Sequence, residues 1–465
     1  MSNNTSVVSR FSHESRILLK LSIPIMITQL ATQAMGFADT AMAGRVSPID
    51  LAAIALGTSL WLPVLLLLRG LIMALTPVTA FHHGAKNHDQ IGVELVQMLW
   101  IVLASSIILI IYLNFGETIL TAINVVPEVI PVASDYAMAL TYGVPGIALF
   151  YTLNAFCEGM NNTKAPMVIS IIGLLINLPI NYILIYGKLG MPALGAVGSG
   201  FATSIVFWLM SLMLFLYIKQ HQKYKHLLQV ADLRPQLDRI WAMLKLGVPI
   251  GVNIAVCGSI FAVIALLIGR LGAANIAAAQ IALNISSMTY MIPMSISFGI
   301  TIRVGYALGR GDEAAAILKT KVGVINAVLI SLFAASAFIL FPEFITSIYT
   351  NDPVIAATAT TLLMYTAIYQ VSDALQTSIS GALRGYKDTK IPMILACTAY
   401  WGVALPLGII LSMTDIIAPA RGESGFWIAI ITGLTLSALF MFLRLIYVVK
   451  QRNKPITIDA NLALA

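Results

Sequence analysis

Two carboxylates stand where carboxylates are costly. Asp39 lies in the apolar run Met35-Gly36-Phe37-Ala38-Asp39-Thr40, and Asp373 in Ile368-Tyr369-Gln370-Val371-Ser372-Asp373-Ala374-Leu375-Gln376. An Asp in the middle of a membrane span costs about 2.5–3.5 kcal/mol on insertion scales, so such a residue usually faces a cavity and has a task there. Neutral polar side chains gather at helical spacing in the same kind of run. Asn177 and Asn181 share one helix face, as do Tyr369, Asp373 and Gln376, and as do Gln280, Asn284 and Ser287. Amides by themselves often do no more than join helices through interhelical hydrogen bonds. An ionised carboxylate is an expensive way to do that. Carboxylates among amide and hydroxyl oxygens suit reversible binding of H⁺, Na⁺ or an organic cation, and competition for one acid couples the fluxes of its ligands. No enzymatic motif accompanies them, so no catalytic residue, structural metal or cofactor is expected.

The rest of the chain is built to hold such residues in lipid. Hydrophobic residues make up 59% and charged residues 10%, against roughly 25% charged in soluble domains, which marks an integral membrane protein. The net charge of +7 is spread over short loops and gives no nucleic-acid surface. Cys157, Cys257 and Cys397 sit in apolar stretches without metal-ligand spacing and read as buried thiols. The first apolar segment, about 26 residues, exceeds the roughly 7–15 of a signal-peptide core, so no cleavage is expected.

Runs long enough to cross a bilayer, about 20 residues each, fall near 17–42, 51–80, 92–115, 130–156, 165–187, 194–218, 240–268, 273–302, 318–341, 354–382, 391–413 and 425–448. The predicted fold is therefore an all-α integral membrane protein with twelve transmembrane helices. None of these runs alternates with period two, which argues against a barrel.

The chain also repeats itself. Leu18-Leu19-Lys20-Leu21-Ser22-Ile23-Pro24-Ile25 recurs 225 residues later as Met243-Leu244-Lys245-Leu246-Gly247-Val248-Pro249-Ile250, Gly84 falls on Gly309, and Ser199-Gly200-Phe201 on Ser424-Gly425-Phe426. With one residue added to the offset, Gly159…Thr163-Lys164 falls on Gly385…Thr389-Lys390. Six spans per repeat make the repeats parallel, two pseudo-symmetric lobes related by an axis along the membrane normal. The expected organisation is a tail over 1–16, an N-lobe over 17–218, a linker over 219–239, a C-lobe over 240–449 and a second tail over 450–465.

Orientation follows from lysine and arginine. With both termini cytoplasmic, the inside loops hold Lys86, Lys164, the Lys219–Arg239 linker, Arg303, Arg310, Lys319, Lys321, Arg384, Lys387 and Lys390, and the tails add others as far as Lys454. The outside loops keep only Arg45, Lys188, Arg270 and Arg421. Glu94, Glu158 and Arg384 fall near cytoplasmic ends, where ordinary solvation would suffice for them. Arg69, within the second span, is about 18 Å from the cytoplasmic end of its helix. No partner for it is legible, Asp39 being too distant, and it is expected to face a water-filled cavity. Prolines at 24, 63, 77, 179, 249, 293 and 406 lie within spans and are expected to bend them. Methionines in the run Met288–Met294 suit helix packing or an adaptable pocket.

Taken in order, Gly36-Phe37-Ala38-Asp39-Thr40-Ala41-Met42-Ala43-Gly44, Gly173-Leu174-Leu175-Ile176-Asn177-Leu178-Pro179-Ile180-Asn181-Tyr182 and Leu383-Arg384-Gly385-Tyr386-Lys387-Asp388-Thr389 give the chain a resemblance. It resembles the multidrug and toxic compound extrusion family, in its bacterial NorM-like branch, over nearly its whole length. The resemblance implies a twelve-helix inner-membrane antiporter that exports cationic lipophilic drugs and dyes, driven by a Na⁺ or H⁺ gradient; a monomer in the lipid bilayer is expected. It implies an N-lobe site of Asp39, Asn154, Asn177, Asn181 and Thr203, and a C-lobe site of Asp373 and Tyr369, to which the facing residues Gln280, Asn284 and Cys257 are added. Cys257 stands where many relatives carry a glutamate in the seventh span, which weakens a C-lobe Na⁺ site and favours Asp39 in coupling. A flippase for lipid-linked sugars would call for a strongly basic cavity. A redox subunit would call for paired histidines within spans, but the six, at 13, 82, 83, 88, 221 and 226, read as lying in tails and loops.

Overall fold

A computed structural model describes residues 7–228, 232–416 and 419–452. Residues 1–6 of the expected N-terminal tail, 229–231 of the linker, and 453–465 with Lys454 lie outside the described residues. Every described element is helical. Lipid offers the backbone no hydrogen-bond partner, so spans must satisfy their own N–H and C=O groups.

Among the described residues, twelve helices are long and apolar enough to cross a membrane, with one bent pair counted as a single crossing. They are α1 (Val7–Ala43), α2 (Pro48–Gly84), α3 (His88–Asn114), α4 (Ile130–Thr141 and Val144–Gly159), α5 (Lys164–Tyr186) and α6 (Gly195–Gln220) in the first half. The second half has α7 (Leu237–Ile268), α8 (Ala273–Gly309), α9 (Glu313–Leu340), α10 (Pro353–Gly385), α11 (Lys390–Met413) and α12 (Glu423–Arg452). The two parts of α4 meet at 48°. Gly143 marks the break, where an added Cβ would lie 2.5 Å from Ser204 Oγ of α6. Pro145, in the first turn of the second part, cannot donate to the ladder before it. In α11 the ladder widens into a π-helical stretch, Thr398–Ala404, just ahead of Pro406.

Several boundaries differ from the sequence reading. The helix α1 begins within the stretch expected to be a tail, because tertiary contacts hold its first turns: Glu14 pairs with Arg303 and Ser15 accepts from Asn326. The histidines 82 and 83 close α2, and His88 opens α3, so these three belong to helix ends rather than loops. Beyond the described break the linker is fastened to α3. Gln97 donates to the carbonyl of Arg234 and accepts from the N–H of Gln236, while Trp100 donates to the carbonyl of Leu233.

The lobes meet along α1 with α8 and α2 with α7. The repeat is visible in individual contacts. Thr76 donates to the carbonyl of Ala155 in one lobe, and its counterpart Thr301 to that of Gly381 in the other. At the end of the molecule carrying residues 85–87 and 310–312, the lobes touch through their backbones. A Cβ on Gly84 would lie 2.1 Å from the carbonyl oxygen of Tyr306, and one on Gly309 would lie 1.9 Å from that of Phe81. Phe81 and Tyr306 are themselves repeat counterparts, so this is one contact made twice across the pseudo-twofold axis. Only glycine permits such an approach.

Charges reinforce the same end. Arg303 of α8 donates through Nε and Nη2 to both carboxylate oxygens of Glu14, at 2.7 and 2.8 Å, and Arg239 of α7 pairs with Glu94 of α3 at 2.8 Å. Lys387, between α10 and α11, lies 4.1 Å from the ring centroid of Phe81 in the opposite lobe. Burial holds its ammonium below the usual lysine range, with Arg452 pressing the same way and Glu94 opposing.

Gly84→Ala and Gly309→Ala should each force α2 and α8 apart, costing about 1–3 kcal/mol as overpacking does. Because the contacts are equivalent, the two losses should be similar. Thermal unfolding of each purified variant checks this, and an unchanged melting temperature in both would disprove the tight approach.

Candidate cation and substrate sites

The N-lobe carboxylate is held by three helices. Asp39 sits near the far end of α1 and is 5% exposed. Its Oδ1 accepts from Asn181 Nδ2 of α5 at 2.6 Å and its Oδ2 from Thr203 Oγ1 of α6 at 2.7 Å. Asn181 Nδ2 also donates to Asn177 Oδ1, 3.0 Å away and one turn back. The hydroxyl of Tyr186 donates to the carbonyl of Met42, fixing α5 against α1 at the level of the acid. Donors to a carboxylate stabilise its charge in a buried place. Both asparagines are fully buried, yet Asn181 Oδ1 and Asn177 Nδ2 have no hydrogen-bond partner. A free amide oxygen beside a carboxylate is a hard donor set of the kind small cations take.

Asn154 goes elsewhere. Its Nδ2 donates to Glu158 Oε1 on the same helix at 3.0 Å, one turn away, while the donors to Asp39 are Asn181 and Thr203.

The C-lobe acid faces a cavity of about 600 Å³ between the lobes, within the range of organic-ligand pockets. Asp373 and Thr377 of α10, Cys257 of α7, Tyr290 of α8 and Tyr400 of α11 all line it. Gln280, Asn284 and Ser287 form a further wall, and Tyr369 and Gln376 stand beside Asp373 on α10. The faces expected from helical spacing are thus the faces presented. Tyr369 donates to Ser286 Oγ, Tyr400 donates to Gln376 Oε1 at 3.1 Å, and Cys257 Sγ donates to Asn253 Oδ1 at 3.5 Å. Of the methionine run, Met294 reaches the cavity whereas Met288 is 63% exposed. The π-helical stretch in α11 carries Tyr400, consistent with the frequent placement of such stretches at functional sites.

Two arginines reach the same cavity. Arg69 enters from α2 of the N-lobe, donates through Nη2 to Gln29 Oε1 at 2.9 Å, and lies 4.6 Å from the ring centroid of Tyr151. Arg384 donates to Ser297 Oγ at 2.7 Å and lies 5.2 Å from the ring of Phe298. The sequence reading supplied a cavity for Arg69 but not its partners, because Gln29 and Tyr151 come from other helices. It also set Arg384, Glu158 and Glu94 aside as solvated helix ends. That is corrected here: Arg384 lines the cavity, Glu158 is 4% exposed, and Glu94 is 9% exposed in its pair with Arg239. At this end the two lobes pack against each other, and Glu94 pairs with Arg239 of the opposite lobe. Ser286, Tyr290 and Tyr400 were missed as well, since hydroxyl-bearing residues inside apolar runs carry no distinct signal.

The MatE family model matches residues 24–183 and 249–410, one segment in each lobe. The chain is 40% identical over 440 residues to the probable multidrug resistance protein NorM of Shewanella oneidensis, covering 94% of this chain and 96% of that one. It is 42% identical over 450 residues to the multidrug resistance protein MdtK of Yersinia pseudotuberculosis, covering 96% and 98%. Among solved structures, a MATE protein in complex with MaL6 superposes with a TM-score of 0.85 at 20% identity, covering 95% of this chain and 98% of that one. The outward-facing conformation of a multidrug resistance MATE family transporter superposes at 0.84 and 20% identity, covering 95% and 97%. At that identity the structural likeness speaks to the fold, while the matches in sequence speak to descent. The chain belongs to the multidrug and toxic compound extrusion family.

Proposed function

We propose that the protein is a cation-coupled multidrug antiporter that exports cationic lipophilic molecules by alternating access, driven by Na⁺ or H⁺. The observation that carries this reading is a carboxylate in each lobe: Asp39 among hard donors, and Asp373 in a mostly apolar, aromatic cavity between the lobes. The relatives are named for multidrug resistance, which supports drugs as the substrates. A desolvated acid attracts an organic cation strongly, since the low local dielectric strengthens Coulomb attraction, while rings and methylenes accommodate its apolar body.

The same reading places the protein in the inner membrane with both termini cytoplasmic. The glycine contact at residues 84 and 309 then seals the cytoplasmic side, and the cavity faces outward in this state. One chain carries both lobes and every residue lining the cavity, which supports a monomer. A flippase for lipid-linked sugars is the weaker reading. Both cavity arginines are already engaged, Arg69 with Gln29 and Tyr151, Arg384 with Ser297 and Phe298.

Dye efflux from proteoliposomes under separately imposed Na⁺ and H⁺ gradients tests the function. Efflux under neither gradient would overturn it. Asp39→Asn should abolish gradient-driven efflux at wild-type membrane levels, because Asn can still meet Thr203 and Asn181 but cannot exchange charge. Full efflux by this variant would remove Asp39 from coupling.

Asp373→Asn should slow efflux, more for divalent than monovalent dyes, through the lost attraction in a low-dielectric cavity. Equal wild-type rates for both dye classes would count against it.

Cys257 adds a soft, mostly neutral thiol beside Asp373 where Na⁺ prefers hard oxygen. Cys257→Glu should therefore raise the Na⁺ sensitivity of efflux, read after a Na⁺ pulse at fixed pH with a protonophore present. Strong Na⁺-driven efflux by the wild type that vanishes in Asp373→Asn would show that the C-lobe works without that glutamate.

A further inference from the structure

The large cavity does not end at Arg384. A second cavity of about 20 Å³, room for a single water molecule, lies between α7, α10 and the start of α11. Asn253, Ile254, Ser380 and Arg384 line both spaces. Beyond them the smaller one is bounded by Asp388 and Thr389, past the end of α10. Asp388 Oδ2 accepts from Arg444 Nε of α12 at 2.6 Å. Their side chains are 15% and 28% exposed, so the polar lining reaches the surface there. Asp373, Thr377, Ser380 and Arg384 are spaced by four, three and four residues, which is one face of α10. Carboxylate, two hydroxyls, guanidinium and carboxylate thus run in order from the substrate cavity to the end of the molecule where the lobes touch.

Such a row can pass protons or small cations. Left open, it would dissipate the gradient that drives transport. One residue in it carries the wrong charge for a cation. Arg384 Nη2 donates to Ser297 Oγ of α8 at 2.7 Å, and that hydroxyl donates in turn to the carbonyl of Thr377, also at 2.7 Å. The ring of Phe298 lies 5.2 Å from the guanidinium. These contacts hold the group where the two cavities share their lining. Among the described residues Arg384 has no ion pair, and Asp388, the carboxylate of the smaller cavity, is taken by Arg444. Arg384 Nε is buried without a hydrogen-bond partner. A fixed, unpaired guanidinium at a constriction repels protons and cations.

We propose that Arg384 is a cation gate, which stops protons and Na⁺ in the substrate cavity from passing to the cytoplasm along the face of α10 without export of a drug. The proposal rests on the cation-coupled reading, but passive flux with no drug present is a separate observable from driven efflux.

Proteoliposomes of the full chain, held at a K⁺–valinomycin potential without drug, report proton entry through a trapped pH-sensitive dye. Wild-type flux should stay near that of protein-free vesicles. Arg384→Gln keeps a hydrogen-bonding side chain and removes the charge. Its flux should rise about tenfold or more, the scale of taking a unit charge from a barrier in a low-dielectric setting. Arg384→Lys keeps the charge and should stay tight. Ser380→Asp leaves Arg384 in place and sets a neutralising carboxylate beside it, so it should leak, whereas Ser380→Asn should not. Should Arg384→Gln fail to fold, the two Ser380 variants decide the matter by themselves. Asp388→Asn should reduce the leak of either leaking variant by removing the acid at the far end. Equal leaks from Arg384→Gln and Arg384→Lys mark loosened packing and overturn the proposal. So does a wild-type seal in both Arg384→Gln and Ser380→Asp, or a leak that Asp388→Asn leaves unchanged. A wild type without gradient-driven efflux defeats the antiport reading instead, while the leak comparison still decides the gate.

Discussion

Close backbone contact at one end of the molecule governs the rest of the architecture. Two lobes of six helices have little hydrophobic reason to adhere in lipid, where the tails around them are as apolar as their own side chains. What holds them is van der Waals contact at glycine and a few charged pairs. The paired approach of Gly84 to Tyr306 and of Gly309 to Phe81 brings α2 and α8 together at a single level of the bundle. Glu14–Arg303 and Glu94–Arg239 cross the lobes at the same end. Closed there, the lobes diverge toward the other end, and the cavity with Asp373 on its wall is the space that divergence leaves. A contact made of small residues and exchangeable ion pairs can also be unmade, as a transporter that alternates between two openings needs.

The symmetry that builds the frame is broken wherever chemistry resides. By the repeat, the counterpart of Asp39 is Ile264, and that of Asp373 is Ile147, both buried apolar residues. Arg69 corresponds to Met294, and Glu158 to Arg384. Each lobe thus carries its own acid at a place where the other packs an isoleucine. The N-lobe acid is enclosed by hydrogen-bond donors, whereas the C-lobe acid borders open space. A doubled scaffold has in this way produced two unlike sites, one enclosed by hydrogen-bonding side chains of three helices and one open to a cavity of about 600 Å³.

The sequence alone determined the secondary structure and the repeat. Backbone satisfaction in lipid leaves only the helix for runs of this length, and tandem identity leaves only parallel lobes. It also identified the acids, because a charge in an apolar run stands out without any knowledge of its neighbours, and helical spacing showed that Asn177 and Asn181 share a face. What the sequence could not supply was which helices lie side by side. That Thr203 meets Asp39, that Asn154 turns to Glu158 instead, and that Gln29 and Tyr151 hold Arg69 depend on interhelical packing between segments far apart in the chain. The buried state of Glu158 and Arg384 was hidden for a related reason. Residue count from a helix end measures depth along one helix, whereas burial is decided by the second lobe closing over it.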